Sequence, residues 1–174
     1  MKSIFVLMIL ALLTACASNV PLAIREPLKN APDVHNARLA KDELAGQRVR
    51  WGGVIAGIQN NASETLIEVV DRPLANNGRP LDSDTSGGRF LARISGFLDP
   101  AIYTSKRELT VTGVLAPTIT RPVGDYPYRY PVVDVDSYYL WAKPLPPPRY
   151  PYYYDPFWYD RWYPPIRYRV HPPP

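Results

Sequence analysis

The sequence is poor in the residues that build most catalytic and metal sites. It has a single cysteine, Cys16, which excludes an internal disulfide and a cysteine-based zinc site. Only two histidines are present, His35 and His171, so a histidine metal site has little to build on. The chain contains no nucleophile motif, no cysteine–histidine pair and no phosphate-cradling glycine loop. We therefore expect a protein that is not an enzyme and that carries neither a metal nor a cofactor.

A strong net charge and a membrane-spanning run are also missing. The formal net charge is +4 in 174 residues, an excess too small to favour nucleic acid as a partner. The main apolar run, Ile4–Leu13, has about ten residues, whereas a spanning helix needs roughly 20. With 46% hydrophobic and 21% charged residues, the composition is that of a soluble globular protein with one domain.

The amino-terminal segment has the features of an export signal. One positive side chain, Lys2, precedes the apolar run, which has the length of a secretory signal core. The run ends in Leu-Thr-Ala-Cys at residues 13–16, which resembles the lipobox of bacterial lipoproteins. In such signals the cysteine is converted to a diacylglyceryl thioether, the bond before it is cut, and the new amino terminus is acylated. The resemblance implies a signal peptide over residues 1–15 and lipidation at Cys16, with a plain secretory signal as the alternative.

The lipobox resemblance also carries an expectation about location. An aspartate directly after the lipidated cysteine favours retention in the inner membrane, but this chain has Ala17 there. A single acyl chain binds a bilayer only marginally, whereas three chains on one residue anchor a protein in effect permanently. We therefore expect the membrane to be a partner through a lipid anchor in the outer membrane, with the domain facing the periplasm.

After the anchor, the sequence predicts a flexible tether over residues 16–37. Pro21, Pro27 and Pro32 interrupt any helix there. Such a tether would let the domain sit clear of the lipid headgroups. A short helix is predicted to follow at Ala37–Leu44, where Leu39 and Leu44 are loosely spaced apolar residues.

From Gln47 onward, apolar and polar residues alternate with period two, which predicts strands. The predicted strands cover residues 47–58, 65–70, 89–95, 108–115 and 130–141, with a short helix over residues 98–103 capped by Asp99. Gly52-Gly53 marks a bulge or sharp bend in the long first strand, a device that lets a small sheet close. We therefore predict an all-β domain over residues 38–142, a five-stranded OB-like barrel with one short helix. An open antiparallel sheet is the alternative.

Charged residues on the predicted strands suggest one candidate site. Four arginines are predicted to form a basic stripe across neighbouring strands: Arg48, Arg50, Arg89 and Arg93. Such a stripe would suit the phosphate or carboxylate groups of an anionic ligand, and a solvated barrel face is the alternative. Asp134 and Asp136, two residues apart on the fifth strand, are interpreted as a solvated face, since Ca²⁺ needs more oxygen ligands than this region offers. Trp51 shares a face with Val49 and is predicted to lie in the core.

The carboxyl-terminal segment, residues 143–174, has a different composition. It contains 11 of the 21 prolines and 7 of the 13 tyrosines. Proline at this density builds neither helix nor sheet core and favours extended or disordered chain. The interleaved tyrosine, tryptophan and arginine side chains offer stacking surfaces and cations to peptidoglycan or to an envelope protein, with a solvated tail lacking any partner as the alternative. The predicted contact residues are Tyr152, Tyr153, Trp158, Arg161 and Trp162.

Several segments of the predicted domain also carry a family resemblance. They are RVRWGGVIAGI at residues 48–58, TLIEVVDRPL at 65–74, GRP at 78–80, GRFLARI at 88–94 and LTVTGVL at 109–115. Together with the lipobox they resemble the Slp family, starvation-inducible outer membrane lipoproteins of Gram-negative bacteria, over roughly residues 14–142. The resemblance implies a role in envelope integrity under starvation or stress and no catalytic residues. It does not interpret the tail, and a ligand- or protein-binding accessory subunit of an envelope assembly is the alternative function.

Overall fold

The computed structural model describes residues 19–40 and 42–143. These residues form two short helices and five strands. The helices are α1 (Leu22–Arg25) and α2 (Val34–Leu39), and the strands are β1 (Arg48–Asn60), β2 (Glu64–Asp71), β3 (Arg89–Ser95), β4 (Glu108–Val123) and β5 (Tyr126–Leu140). Neither helix in this part of the chain has the length and apolar character needed to cross a bilayer.

The five strands close into a barrel in the order β1-β2-β3-β5-β4. Closure depends on the length of β1, which pairs with β4 along residues 48–54 and with β2 along residues 53–60. The pairing of β3 with β5 is parallel and short, and the other neighbours are antiparallel. This strand order is that of an OB fold, so the predicted OB-like barrel is confirmed in preference to an open sheet.

The Gly52-Gly53 pair lies where β1 changes partners. Gly53 pairs with Asp71 of β2 on one side and with Leu109 of β4 on the other. A Cβ atom at Gly53 would lie 1.9 Å from the Val70 carbonyl oxygen, closer than any real contact. Gly53 therefore has to be glycine, but the structure places the irregularity predicted at Gly52-Gly53 slightly later, between Ile55 and Gly57.

Trp51 lies inside the barrel, as predicted, and is 5% exposed. Its ring packs edge to face on Phe90, with the centroids 5.3 Å apart, and its indole N–H donates to the Pro32 carbonyl at 2.9 Å. The surrounding core residues are fully or almost fully buried: Val49, Ile55, Ile67, Val69, Ala92, Ile94, Leu109, Val111 and Val133. Burying a side chain of this size stabilises the fold by about 1.5–3 kcal/mol, so the barrel interior is the main source of stability.

The predicted tether differs most from the structure. Residues 21–39 pack on the barrel, with Ile24, Val34 and Ala37 at most 2% exposed. The prolines do not prevent the two helices, because Pro21 is the N-cap of α1 and the other prolines lie between the helices. Apolar residues in this segment gain more by covering the barrel than they would in a free linker.

Of the two predicted helices, the first begins earlier in the chain than predicted, and a turn stands in place of the second. Helix α2 begins at Val34 rather than Ala37, because Asp33 caps it by accepting a bond from the Asn36 N–H at 2.7 Å. Residues 98–103 form a turn rather than a helix. The Asp99 carboxylate accepts from the Ala101 N–H at 2.8 Å as a cap would, but the chain soon returns to β1, where the Lys106 N–H donates to the Ile55 carbonyl.

Strands β4 and β5 run well beyond their predicted limits and meet in a hairpin at residues 124–125. Four prolines disguise this extension in the sequence: Pro117, Pro122, Pro127 and Pro131. Proline is tolerated at strand edges and irregular pairings, and the β4–β5 register shifts between Ala116 and Ile119, around Pro117. We call residues 116–131 the hairpin arm.

Candidate binding groove

The hairpin arm covers part of the outer face of the barrel. Leu91 points outward from β3 yet is only 3% exposed, because it packs in a second apolar cluster with Ala116, Tyr130 and Val132. The arm is also fixed by Tyr128, whose hydroxyl accepts from the Arg89 N–H at 2.8 Å and whose ring lies 5.2 Å from the Arg38 guanidinium. The arm is therefore part of the folded domain and forms one wall of a groove.

The groove lies between the hairpin arm and the ends of β1 and β2, and its volume is about 470 Å³. Leu66, Glu68 and Leu91 line it from the barrel, and Arg121, Pro122 and Tyr130 line it from the arm. Gln59 joins the two walls, since its side-chain oxygen accepts a bond from Arg121 Nη1 at 2.9 Å. Leucine and proline side chains beside charged groups suit a ligand with both apolar and polar surface.

A three-residue network holds Glu68 in the groove. Glu68 Oε1 accepts from the Tyr130 hydroxyl at 2.8 Å and from Arg89 Nη1 at 2.6 Å. Burial, reinforced by the bond to Glu68, raises the pKa of Tyr130 to about 12, so the hydroxyl stays protonated and remains a donor at neutral pH. Because both bonds go to Oε1, the second carboxylate oxygen, which faces Gly57, remains available as an acceptor within the described part of the chain.

Arg121 supplies a cation to the same groove. Within residues 19–40 and 42–143, its hydrogen-bond partner is the neutral Gln59 amide, and no carboxylate lies within 4.0 Å of its guanidinium nitrogens. A guanidinium carries five N–H donors, so a single bond to Gln59 leaves donors for a ligand. The groove thus presents an acceptor at Glu68 and donors at Arg121, the pattern that binds hydroxyl, amide or acidic groups.

The structure does not bring the four predicted arginines into one stripe. Arg48 and Arg50 lie on β1 while Arg89 and Arg93 lie on β3, and β2 separates these strands. Two arginines are paired with the aspartates of β5: Arg48 with Asp136 at 2.6 Å and Arg93 with Asp134 at 2.5 Å. Hydrogen bonding to Asp134 raises the pKa of Arg93, as expected for an arginine held in an ion pair.

The remaining two arginines also have internal roles. Arg89 is bound to Glu68, and that bond raises its pKa. Arg50 Nη1 donates at 2.9 Å to the carbonyls of Ile24 and Arg25, which holds α1 on the barrel, while burial lowers the pKa of Arg50. The four side chains therefore stabilise the fold at separate places, and only Arg89 contributes to the groove, through Glu68.

Sequence reasoning did not find the groove. Arg121 lies in a proline-rich stretch that resembles a loop, Tyr130 is the first residue of a predicted strand with no sign of a partner, and Glu68 looks like an ordinary exposed strand residue. The other predicted sites, Cys16 and the tail residues Tyr152, Tyr153, Trp158, Arg161 and Trp162, lie outside the described residues. In the part that the structure describes, no three His, Cys, Asp or Glu side chains are grouped as metal ligands would be.

Comparison with known proteins identifies the family. The model of the "Outer membrane lipoprotein Slp family" matches residues 13–166. The chain belongs to the Slp family of outer membrane lipoproteins. The Slp-family match begins within the lipobox and continues far into the proline-rich tail, so the expectation that the resemblance ends near residue 142 was wrong.

Two relatives come from Escherichia coli strain K12. Outer membrane protein Slp is 30% identical over 144 residues, covering 80% of this chain and 74% of the relative. The uncharacterized lipoprotein YeaY is 31% identical over 109 residues, covering 63% of this chain, and the match spans only 56% of YeaY. Among solved structures, a small single-stranded DNA-binding protein from Streptomyces coelicolor has a TM-score of 0.34 and 12% identity, covering 55% of this chain and 94% of that one. A structural similarity with so low a TM-score does not support any inference about ligands.

Proposed function

We propose that this protein is a lipoprotein without enzymatic activity, attached to the outer membrane by acyl chains on Cys16. Its domain faces the periplasm and supports envelope integrity under starvation or stress. The observation that carries the proposal is the Slp-family match, which includes the Leu-Thr-Ala-Cys lipobox at residues 13–16. Acylation of a single residue fixes the compartment, because three buried chains make dissociation from the bilayer negligible.

The chemistry of the groove supports binding rather than catalysis. Its carboxylate, Glu68, is held by Arg89 and Tyr130, and it has no second carboxylate facing it among the residues that line the groove. Paired acid–base work needs two titrating groups within reach of one substrate, and Tyr130 stays protonated up to about pH 12. A fixed acceptor beside apolar walls is the arrangement of a recognition site.

The tail is the part of the chain that we propose contacts the envelope. Its aromatic and arginine side chains, Tyr152, Tyr153, Trp158, Arg161 and Trp162, stack on sugar rings of peptidoglycan or on a protein partner. A proline-rich chain advances about 3.1 Å per residue when extended, so a stretch of roughly thirty residues is long enough to span several tens of ångströms.

Deletion of residues 144–174 tests the role of the tail. We expect the shortened lipoprotein to fold, since the core lies within residues 24–141, but to lose most of its co-sedimentation with purified sacculi. A chain with Tyr152, Trp158 and Trp162 changed to serine is the matched control that keeps the tail length, and it should lose binding to a similar extent. Unchanged sedimentation of both variants, or none of the full-length protein, contradicts this part of the proposal.

A second candidate function, an accessory subunit that binds a ligand or protein of an envelope assembly, is favoured by the groove. Its acceptor and donor lie on opposite walls, at Glu68 and Arg121, and Leu66 and Leu91 line the barrel wall with Glu68. An extended ligand segment with hydroxyl or amide groups along one edge and an apolar face on the other would hydrogen-bond to Glu68 and Arg121 and pack on the leucines.

Photo-crosslinking in intact cells tests the groove. Gln59 is exposed at the groove, and Gln47 is equally exposed just before β1, which makes the two positions a matched pair. With a benzophenone amino acid at each position in turn, we expect one dominant adduct from position 59 and none of that mass from position 47. Adding Glu68→Gln should reduce the adduct several-fold. Equal adducts from both positions, or no effect of the Glu68 change, would remove this candidate.

A further inference from the structure

We propose that the surface formed by α1 and the residues after it, Leu22–Lys29, docks on the phospholipid headgroups of the bilayer that holds the anchor. The inference rests on the proposed acylation of Cys16 and goes beyond it. It assigns the face of the domain that lies on the membrane.

The first argument is the length of chain between the anchor and the barrel. Helix α1 begins at Leu22, six residues after Cys16. Six residues span at most roughly 20 Å even when fully extended. Since α1 is already packed on the barrel, no longer tether exists to hold the domain away from the lipid, and this face is the one nearest to it.

The attachment of α1 to the barrel is firm. Ile24 is fully buried, and its carbonyl accepts from Arg50 Nη1 at 2.9 Å, as does the carbonyl of Arg25. On the other side, Gly78 adopts a φ of +87° and lies so close that a Cβ there would be 2.2 Å from the Ile24 carbonyl oxygen. The helix is thus fixed by β1 and by the β2–β3 loop, and moving it would expose Ile24 and leave a guanidinium without partners.

The second argument is the chemistry of the exposed side of this segment. Leu22 is 57% exposed and Leu28 is 38% exposed, although their neighbour Ile24 is fully buried. Exposed Lys29 and half-buried Arg25 give the segment two cations against the single carboxylate of Glu26. Leucines that insert among headgroups and cations that lie beside phosphates are the combination that favours a bilayer surface.

The docked orientation has a consequence for the groove. Arg50, which holds α1, lies near the start of β1, whereas Gln59, which lines the groove, lies near its end. Nine residues of curved strand separate the two positions, and a strand rises about 3.3 Å per residue. The groove therefore lies at the far end of β1 from the residue that holds the docked segment.

Fluorescence quenching in vesicles tests the docking. The full-length acylated protein is placed in vesicles of phosphatidylethanolamine and phosphatidylglycerol whose acyl chains carry bromine as a quencher. After acylation, Cys16 is a thioether, so Leu28→Cys or Ser63→Cys provides the single free thiol for a bimane label. Ser63 is exposed in the β1–β2 turn, at the groove end of β1, and serves as the matched control. We expect several-fold stronger quenching at position 28 than at position 63, and a loss of that difference on adding Leu22→Gln.

The outcomes separate the docking from the anchor. If the protein floats with the vesicles but both labels are quenched alike, the anchor stands and the docking is wrong. A disulfide between two copies of the unlabelled Leu28→Cys variant, together with little quenching of the labelled one, also overturns it, because a second copy would then occupy this face. If the protein does not float and its mass shows an unmodified Cys16, both the docking and the anchor fail.

Discussion

Replacing Cys16 with serine is expected to remove this protein from the outer membrane almost completely. The substitution leaves the apolar run and the domain intact but removes the thiol that receives the diacylglyceryl group. Each buried methylene contributes about 0.8 kcal/mol to membrane binding, so three acyl chains together exceed any contact that the folded domain could make. Fractionation of cells that produce Cys16→Ser should therefore find unprocessed or soluble protein in place of outer-membrane protein.

A matched control keeps the lipid and changes only the sorting position. Ala17→Asp preserves Cys16 and should leave the protein acylated and membrane-bound, but retained in the inner membrane. Sucrose-gradient separation of the two membranes, with acylation followed by metabolic labelling with a palmitate analogue, distinguishes the variants. Outer-membrane recovery of Cys16→Ser equal to that of the unchanged protein would contradict the proposed anchor.

Gly53→Ala adds one methyl group to β1, and we expect it to be the most damaging such addition in the barrel. The new Cβ would lie 1.9 Å from the Val70 carbonyl oxygen, and the backbone atoms around it are held by pairing with both β2 and β4. Relief requires separating strands at the point where the barrel closes. We expect a loss of about 3 kcal/mol or more from a total stability on the order of 5–15 kcal/mol, which lowers the melting temperature by well over 10 °C or prevents folding.

Gly57→Ala on the same strand is the control for this prediction. A Cβ at Gly57 would have as its nearest neighbour Glu68 Oε2 at 3.7 Å, an ordinary contact. We expect a change within about 1 kcal/mol, either way, since an alanine also restricts the unfolded chain. Thermal or urea unfolding followed by circular dichroism measures both variants. Similar stabilities for the two variants would mean that the place where β1 changes partners does not depend on the close approach of the Gly53 and Val70 backbones.

The sequence predicted the barrel because its signals are local. Period-two alternation located the strands of the barrel wall, and Gly52-Gly53 marked the place where β1 changes partners. Trp51 was assigned to the core from its neighbour Val49 alone, and its 5% exposure agrees. These features depend on strand periodicity and on sterics, which a few adjacent residues determine.

The tether and the arm could not be predicted, because tertiary contacts override local preference. Pro21 and Pro32 look like helix breakers in isolation, yet the segment between them is ordered by burial of Ile24 and by the bond from Trp51 to Pro32. Prolines in the arm likewise make a β-hairpin hard to recognise from the sequence, although the pairing of β4 with β5 maintains it. The tether segment is stabilised by residues distant in sequence, whereas the arm pairs within its own hairpin and is held on the barrel by distant residues such as Leu91 and Arg38.

The groove escaped prediction for a related reason. Glu68 and Tyr130 are 62 residues apart and come from strands that are not neighbours in the barrel. No periodicity links them, and the arginine pattern pointed to β1 and β3, where the structure shows ion pairs instead. Predicting that Glu68 and Tyr130 meet would need the strand order of the barrel, in which β3 lies between their strands, and the extension of β5 to Tyr126, which the prolines hide.

Intact-mass analysis of the protein extracted from the outer membrane tests the central claim most directly. The account predicts a mature chain that begins at Cys16, without residues 1–15, and that carries the added mass of a diacylglyceryl group and one amide-linked acyl chain. A mature chain that begins elsewhere, or a Cys16 thiol that carries no lipid, would contradict it.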